Sequence, residues 1–263
     1  MIDAHIHLEQ YLEGQSPEAL DSMLQVLPGQ GIDKLIAVSM NLESCRRTRQ
    51  IAALHPQLVK PAYGFHPEQP LPSGTELAAL LEWINQHGEE MVAVGEVGLP
   101  YYSRAEALAR GEDFDMEPYI RLLDILLEAA ARLNKPAVLH AVYEDALTAC
   151  ALLEKHGITK AHFHWFKGPR KAVELMIERG YYISFTPDIV YEPEIQELAR
   201  MYPPQLVMAE TDGPWPFEGP FTGKSTHPAM IHEVAAVWGS LHGYSPAQAA
   251  DLLTANTLCF YGL

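Results

Sequence analysis

Cysteine, cations and long apolar runs are all scarce in this chain, and each scarcity removes a class of protein. The 263 residues include 3 Cys. Cys45, Cys150 and Cys259 are widely separated and show no C-x-x-C spacing, which argues against a disulfide framework and against a thiolate zinc site. No stretch approaches the roughly 18 uninterrupted apolar residues of a membrane span. Asp3 and His5 interrupt the first apolar run, so no signal peptide is read there. The expectation is a soluble, cytoplasmic protein. Lys and Arg number 18 against 34 Asp and Glu, a formal net charge of −16. This balance argues against extended non-specific binding of nucleic acid, which depends on cations that neutralise phosphates. It leaves room for a nuclease, because bound divalent cations offset acids locally. A small molecule or a single-strand end is easier to accept as substrate than a long duplex. Most of the acids need no role beyond solubility.

Hydrophobic residues make up 48% of the chain, enough for a sizeable core, and the 20 Pro and 18 Gly are scattered as loop punctuation. No linker, repeat or low-complexity segment divides the sequence, so residues 1–263 are read as one domain, of a length usual for α/β barrels. Short apolar runs alternate with segments of helical period, the pattern of successive βα units. The expected strands are residues 2–7, 34–39, 58–63, 91–96, 136–140, 160–164, 181–185 and 205–210. Ser16-Pro17-Glu18 reads as a helix start, and residues 115–133 form the clearest helix, with Asp115 as its cap. Pro100 to Asp113 is expected as a long connection over the site, and Gly213 to Pro220 as a rigid loop. Helices are expected from about Pro228 to Leu241 and from Pro246 to Leu258. The fold class is therefore α/β, a TIM-like (β/α)8 barrel.

His5 and His7 stand two apart on the first apolar run, so they share a strand face and can grip one ion. Glu96, His140, His164 and Asp212 each stand at the end of a later run, and in such a barrel those ends converge on one face. Imidazoles and carboxylates gathered there are the ligands of a hydrolytic metal centre. One or two divalent ions per chain are expected, and these ligand types suit Zn, Mn, Ni, Fe and, less well, Mg. His162 and His164 share one strand face, so alternation alone does not choose between them. His55, His87, His156, His232 and His242 read as ordinary surface or core histidines.

Together and in order, six segments resemble the TatD family of metal-dependent hydrolases: Asp3-Ala4-His5-Ile6-His7, Gly64-Phe65-His66-Pro67, Gly95-Glu96-Val97-Gly98-Leu99, Leu139-His140, His164-Trp165-Phe166-Lys167-Gly168 and Glu210-Thr211-Asp212-Gly213-Pro214. The resemblance spans the chain and favours His164 over His162. It implies a barrel with the metal site at the C-terminal ends of its strands, and hydrolysis of phosphodiesters, including deoxyribonuclease activity. It also implies a division of roles. His5 and His7 hold the more buried ion with Asp212, His140 and His164 hold a second, Glu96 bridges, and Asp212 accepts the proton of the attacking water.

Three departures bear on substrate. Pro100 stands where the family often has Asp, Val142 where it often has Arg, and the region of Cys259 lacks a common basic residue. Lys167 or Arg170 can compensate for the lost cations. His66 either contacts substrate or shapes its loop, and Glu210 either orients a neighbouring ligand or makes a structural hydrogen bond. Trp165, Trp215, Phe217 and Phe221 suit base stacking, although loop packing explains them more simply. Alternatives to phosphodiester cleavage are hydrolysis of a lactone or amide, ring deamination, or metal binding without catalysis.

Overall fold

A computed structural model describes residues 1–263. The apolar runs form eight parallel strands that neighbour one another in chain order: β1 (Ile2–Ile6), β2 (Lys34–Ala37), β3 (Val59–Tyr63), β4 (Ala93–Gly98), β5 (Ala137–His140), β6 (Ala161–Phe163), β7 (Tyr182–Phe185) and β8 (Val207–Ala209). Helices separate them: α1 (Pro17–Val26), α2 (Leu42–Leu54), α3 (Gly74–Gln86), α4 (Tyr101–Ala109), α5 (Glu117–Arg132), α6 (Asp145–Lys155), α7 (Arg170–Glu178), α8 (Pro193–Met201), α9 (Ile231–His242) and α10 (Pro246–Tyr261). This is the (β/α)8 barrel that the alternating pattern predicts. Nearly every strand residue is buried, as parallel strands covered by helices must be.

The ring closes between β1 and the segment after β8. The Asp212 amide donates to the His5 carbonyl at 3.0 Å and the His7 amide donates to the Gly213 carbonyl at 2.8 Å. The buried Asp3 carboxylate accepts from the Thr211 amide at 3.0 Å and from the Thr211 hydroxyl. Ile36, Val38, Ala62, Ala93, Val138 and Met208 come from strands on different sides of the ring and meet in one apolar cluster, against which Phe260 and Tyr261 of α10 pack. With Ile2 and Ala4 of β1 they form a cluster separate from the larger one, as the side-chain-filled interior of such a barrel does.

The strands other than β4 are shorter than expected, and β4 keeps its length but begins and ends two residues later than its apolar run suggests, so Glu96 lies inside the strand rather than at its end. His7 and His164 lie one residue past β1 and β6. The expected connection from Pro100 to Asp113 contains α4. Its Ala, Leu, Glu and Arg residues are good helix formers, but it lacks a side-chain cap at Pro100, the usual start signal. Ser16 caps α1 as expected, accepting from the Ala19 amide at 3.3 Å. The long helix starts at Glu117, whose amide donates to Asp115 at 3.0 Å.

Gly98 pairs with His140 in the β4–β5 ladder. A Cβ there would overlap the His140 carbonyl oxygen, a backbone atom that cannot move aside without dragging β5. Gly98→Ala should therefore destabilise the fold by about 1–3 kcal/mol, the usual cost of overpacking. An unchanged midpoint of urea unfolding would show that the strands separate freely at this point.

Candidate metal centre

Glu96 is fully buried and both its carboxylate oxygens face imidazoles. Oε2 lies 3.1 Å from Nε2 of His5 and 3.1 Å from Nε2 of His7. Oε1 lies 2.7 Å from Nε2 of His164, 3.2 Å from Nδ1 of His140 and 3.3 Å from Nε2 of His66. Asp212 Oδ1 completes the first group, 3.5 Å from Nε2 of both His5 and His7. The chain thus brings His5, His7, Glu96, His140, His164 and Asp212 together at one end of the barrel, and His66 with them.

The electrostatics follow from burial and from these neighbours. Burial alone would push the Glu96 carboxyl up, but the imidazoles of His164, His66 and His5 hold it well below the usual range. Burial raises Asp212 to about 7, against the pull of His164 and His7. His5 is lowered well below its ordinary value by burial and by His164. For His7 the burial is outweighed by Glu96 and Asp212, which hold it at about 9.

The donor set fits divalent cations. Three imidazole nitrogens approach Glu96 Oε1 within 3.3 Å, yet this buried oxygen has no aligned hydrogen bond, and neither does Asp212 Oδ1. Nitrogens and oxygens that converge without pointing at one another share a common space, and a cation there would satisfy them all. Two groups meet the spacing for such an ion, His5 with His7 and Asp212, and His66 with Glu96 and His140. A third, His5 with His164 and Glu210, meets the same spacing and shares His5 with the first.

The surrounding polar groups separate the two histidines that strand alternation left equivalent. His164 turns Nε2 to Glu96, with its Nδ1 3.6 Å from Glu210 Oε1. His162 makes no direct contact with a carboxylate. It bonds Tyr261 of α10 through Nδ1 at 2.9 Å and Ser184 of β7 through Nε2 at 2.5 Å, and Ser184 donates to Glu210 Oε2 at 2.7 Å. Glu210 also accepts from the Trp165 amide at 2.7 Å.

Lys167 and Arg170 are not brought into the cluster. Lys167 lies over the Trp165 ring with Nζ 3.4 Å from Asp188, and Arg170 is exposed and paired with Glu174 at 2.7 Å. Among the four loop aromatics Phe217 and Phe221 are buried and Trp165 packs on Trp215 and Phe217, whereas Trp215 is 57% exposed. Sequence reasoning missed Glu68, whose Oε1 lies 3.3 Å from Nε2 of His140. Its one signal was an acid two residues after His66 in a proline-rich loop.

A family model described as TatD-related DNase matches residues 2–262. An uncharacterized metal-dependent hydrolase of Haemophilus influenzae is 37% identical over 219 residues, covering 83% of this chain and 83% of its own. Human deoxyribonuclease TATDN3 is 25% identical, covering 98% of this chain and 93% of its own. Among solved structures, that of YJJV, a TatD homologue from Escherichia coli, superposes with a TM-score of 0.84 at 24% identity, covering 100% of this chain and 98% of its own.

Two substitutions test the cluster as a metal site. Protein purified without chelator should carry one or two divalent transition-metal ions, and His5→Ala combined with His7→Ala should remove most of one equivalent. Equal metal content by elemental analysis, with folding checked by circular dichroism, would dismiss these histidines as ligands.

Proposed function

The chain belongs to the TatD-related DNase family, and on that premise we propose that it cleaves phosphodiester bonds with one or two divalent ions held by His5, His7, Glu96, His140, His164 and Asp212. The observation that carries this reading is the division of Glu96, with Oε2 turned to His5 and His7 and Oε1 to His66, His140 and His164. A carboxylate so placed suits two neighbouring ions. Bound divalent ions would supply Lewis acidity at the scissile phosphate and acidify an attacking water.

The chain's own groups do the rest. Asp212 directs Oδ1 at His5 and His7, leaving Oδ2 to orient the attacking water and take up its proton. Glu210 lies behind His164, its Oε1 3.6 Å from Nδ1, and accepts from the amide of the next residue, Trp165, which fixes the backbone beside the ring. His66 stands within the cluster, where it can contact a substrate oxygen or serve as a further ligand.

Three cations that follow the barrel strands are already paired, Lys167 with Asp188, Arg170 with Glu174 and Arg104 with Asp145. With a net charge of −16, this leaves little to hold a long polyanion. The favoured substrates are single-strand ends, terminal nucleotides or small phosphodiesters. The same pairing supports a second reading, hydrolysis of an uncharged small molecule such as a lactone or amide.

Asp212→Asn should keep the fold and lower kcat by at least about 10²-fold, the low end for loss of a general base. Near-normal turnover in a folded variant would remove Asp212 from that role. For substrate, kcat/KM for a dinucleotide or model diester should exceed that for a long duplex at one fixed salt concentration. A duplex preferred by roughly tenfold or more, about 1.4 kcal/mol in the transition state, would mean that the paired cations are released to hold it. Turnover of lactones or amides with none of any phosphodiester would favour the second reading.

A further inference from the structure

We infer that Glu68 is a positioning residue of the metal centre, one carboxylate that sets the orientation of His140 and fastens helix α4 beside it, so that cation binding and α4 docking are linked. The inference rests on the reading of His140 as a metal ligand.

His140 turns Nδ1 into the cluster, 3.2 Å from Glu96 Oε1 and 3.4 Å from Nε2 of His164, and turns Nε2 outward, 3.3 Å from Glu68 Oε1. A neutral imidazole carries one proton, and an ionised carboxylate can only accept. Glu68 stands here as an acceptor, since its two oxygens already take the amides of Tyr102 and Ser103 and the Ser103 hydroxyl. The proton of His140 is therefore kept on Nε2 and its lone pair is left on Nδ1, the atom that faces the other ligands. Carboxylates placed in this way behind ligating histidines fix the ring and make it a better donor.

The same carboxylate takes the amides of Tyr102 and Ser103 at 2.7 Å each. These are the second and third residues of α4, a helix whose own N-cap, Pro100, provides no side-chain acceptor. Amides of a first helical turn need an acceptor from elsewhere, and here it comes from the loop after β3. A second tether runs alongside, since Arg104 of α4 pairs with Asp145 at the start of α6 at 2.9 Å. The Tyr102 ring stands edge-on to His140 with centroids 5.9 Å apart. His140 and the start of α4 therefore share one partner, and neither can shift without loosening its hold on the other. By reciprocity, whatever orders His140 should also order α4.

Chelator-treated full-length protein titrated with Mn²⁺ alone tests this, in the wild type and in Glu68→Ala, Ser103→Ala and His140→Ala. Calorimetry reads the affinity of each equivalent, and amide hydrogen exchange reads Tyr102 and Ser103. Glu68→Ala should weaken by about 10–100-fold the equivalent that His140→Ala removes, and leave any other equivalent unchanged. Mn²⁺ should slow exchange at Tyr102 and Ser103 in the wild type and not in Glu68→Ala. Ser103→Ala, which keeps the carboxylate on His140, should retain near-normal affinity. Unchanged affinity in Glu68→Ala overturns the positioning role, and so does a uniform loss at every equivalent, which would mark a general structural defect. Wild-type exchange at Tyr102 and Ser103 that ignores Mn²⁺ overturns the linkage. A His140→Ala protein that binds Mn²⁺ as the wild type does overturns the ligand reading itself, and this inference with it.

Discussion

A carboxylate without water governs the architecture of this molecule. Glu96 is wholly enclosed, and an unpaired ion in such a place costs several kcal/mol even after relaxation. The barrel meets that cost by delivering imidazoles from the β1 end, the β3 loop, β5 and the β6 end to its two oxygens. They arrive from four different strands, so the position of each of those strands relative to β4 matters to this one group. The crowding of β4 on β5 at Gly98 belongs to the same requirement, for it falls on the backbone of His140.

The seam of the barrel and the cluster occupy the same place. Backbone bonds that close the ring run from Asp212 to His5 and from His7 to Gly213, so the atoms that complete the fold also set the approach of three site residues. Behind them Asp3 ties β1 to Thr211, while the chain from Tyr261 through His162 and Ser184 to Glu210 ties the last helix to the Trp165 amide, next to His164. Buried polar groups of this kind hold position only when each has its partner. Here the partners come from opposite ends of the sequence, which makes the site a product of the completed ring.

The mouth of the site differs in character from its floor. Lys167, Arg170 and Arg104 are neutralised by neighbouring acids, and α4 is held beside His140 by Glu68 and by the pair of Arg104 with Asp145. Loops in this fold are where one barrel chemistry is turned toward one substrate or another.

Local pattern was sufficient for much of this molecule. Eight apolar runs set between helical periods announced the barrel, and the two-residue spacing of His5 and His7 announced a shared face, because strand alternation is a property of adjacent residues. Strand ends were legible only to within a residue or two, and Glu96 proved to lie inside β4 because the apolar run begins before the ladder does. Helix α4 was not legible, since the acceptor for its first amides is Glu68, 34 residues upstream of Tyr102. The choice between His162 and His164 was likewise closed to alternation, because both occupy one face and differ only in what stands opposite them: Ser184 and Tyr261 for one, Glu96 for the other. The sequence by itself determined which residue types lie on which strand and in what order. The tertiary structure decided which of them meet, because hydrogen bonds and ion pairs between distant segments depend on distances that no local period encodes.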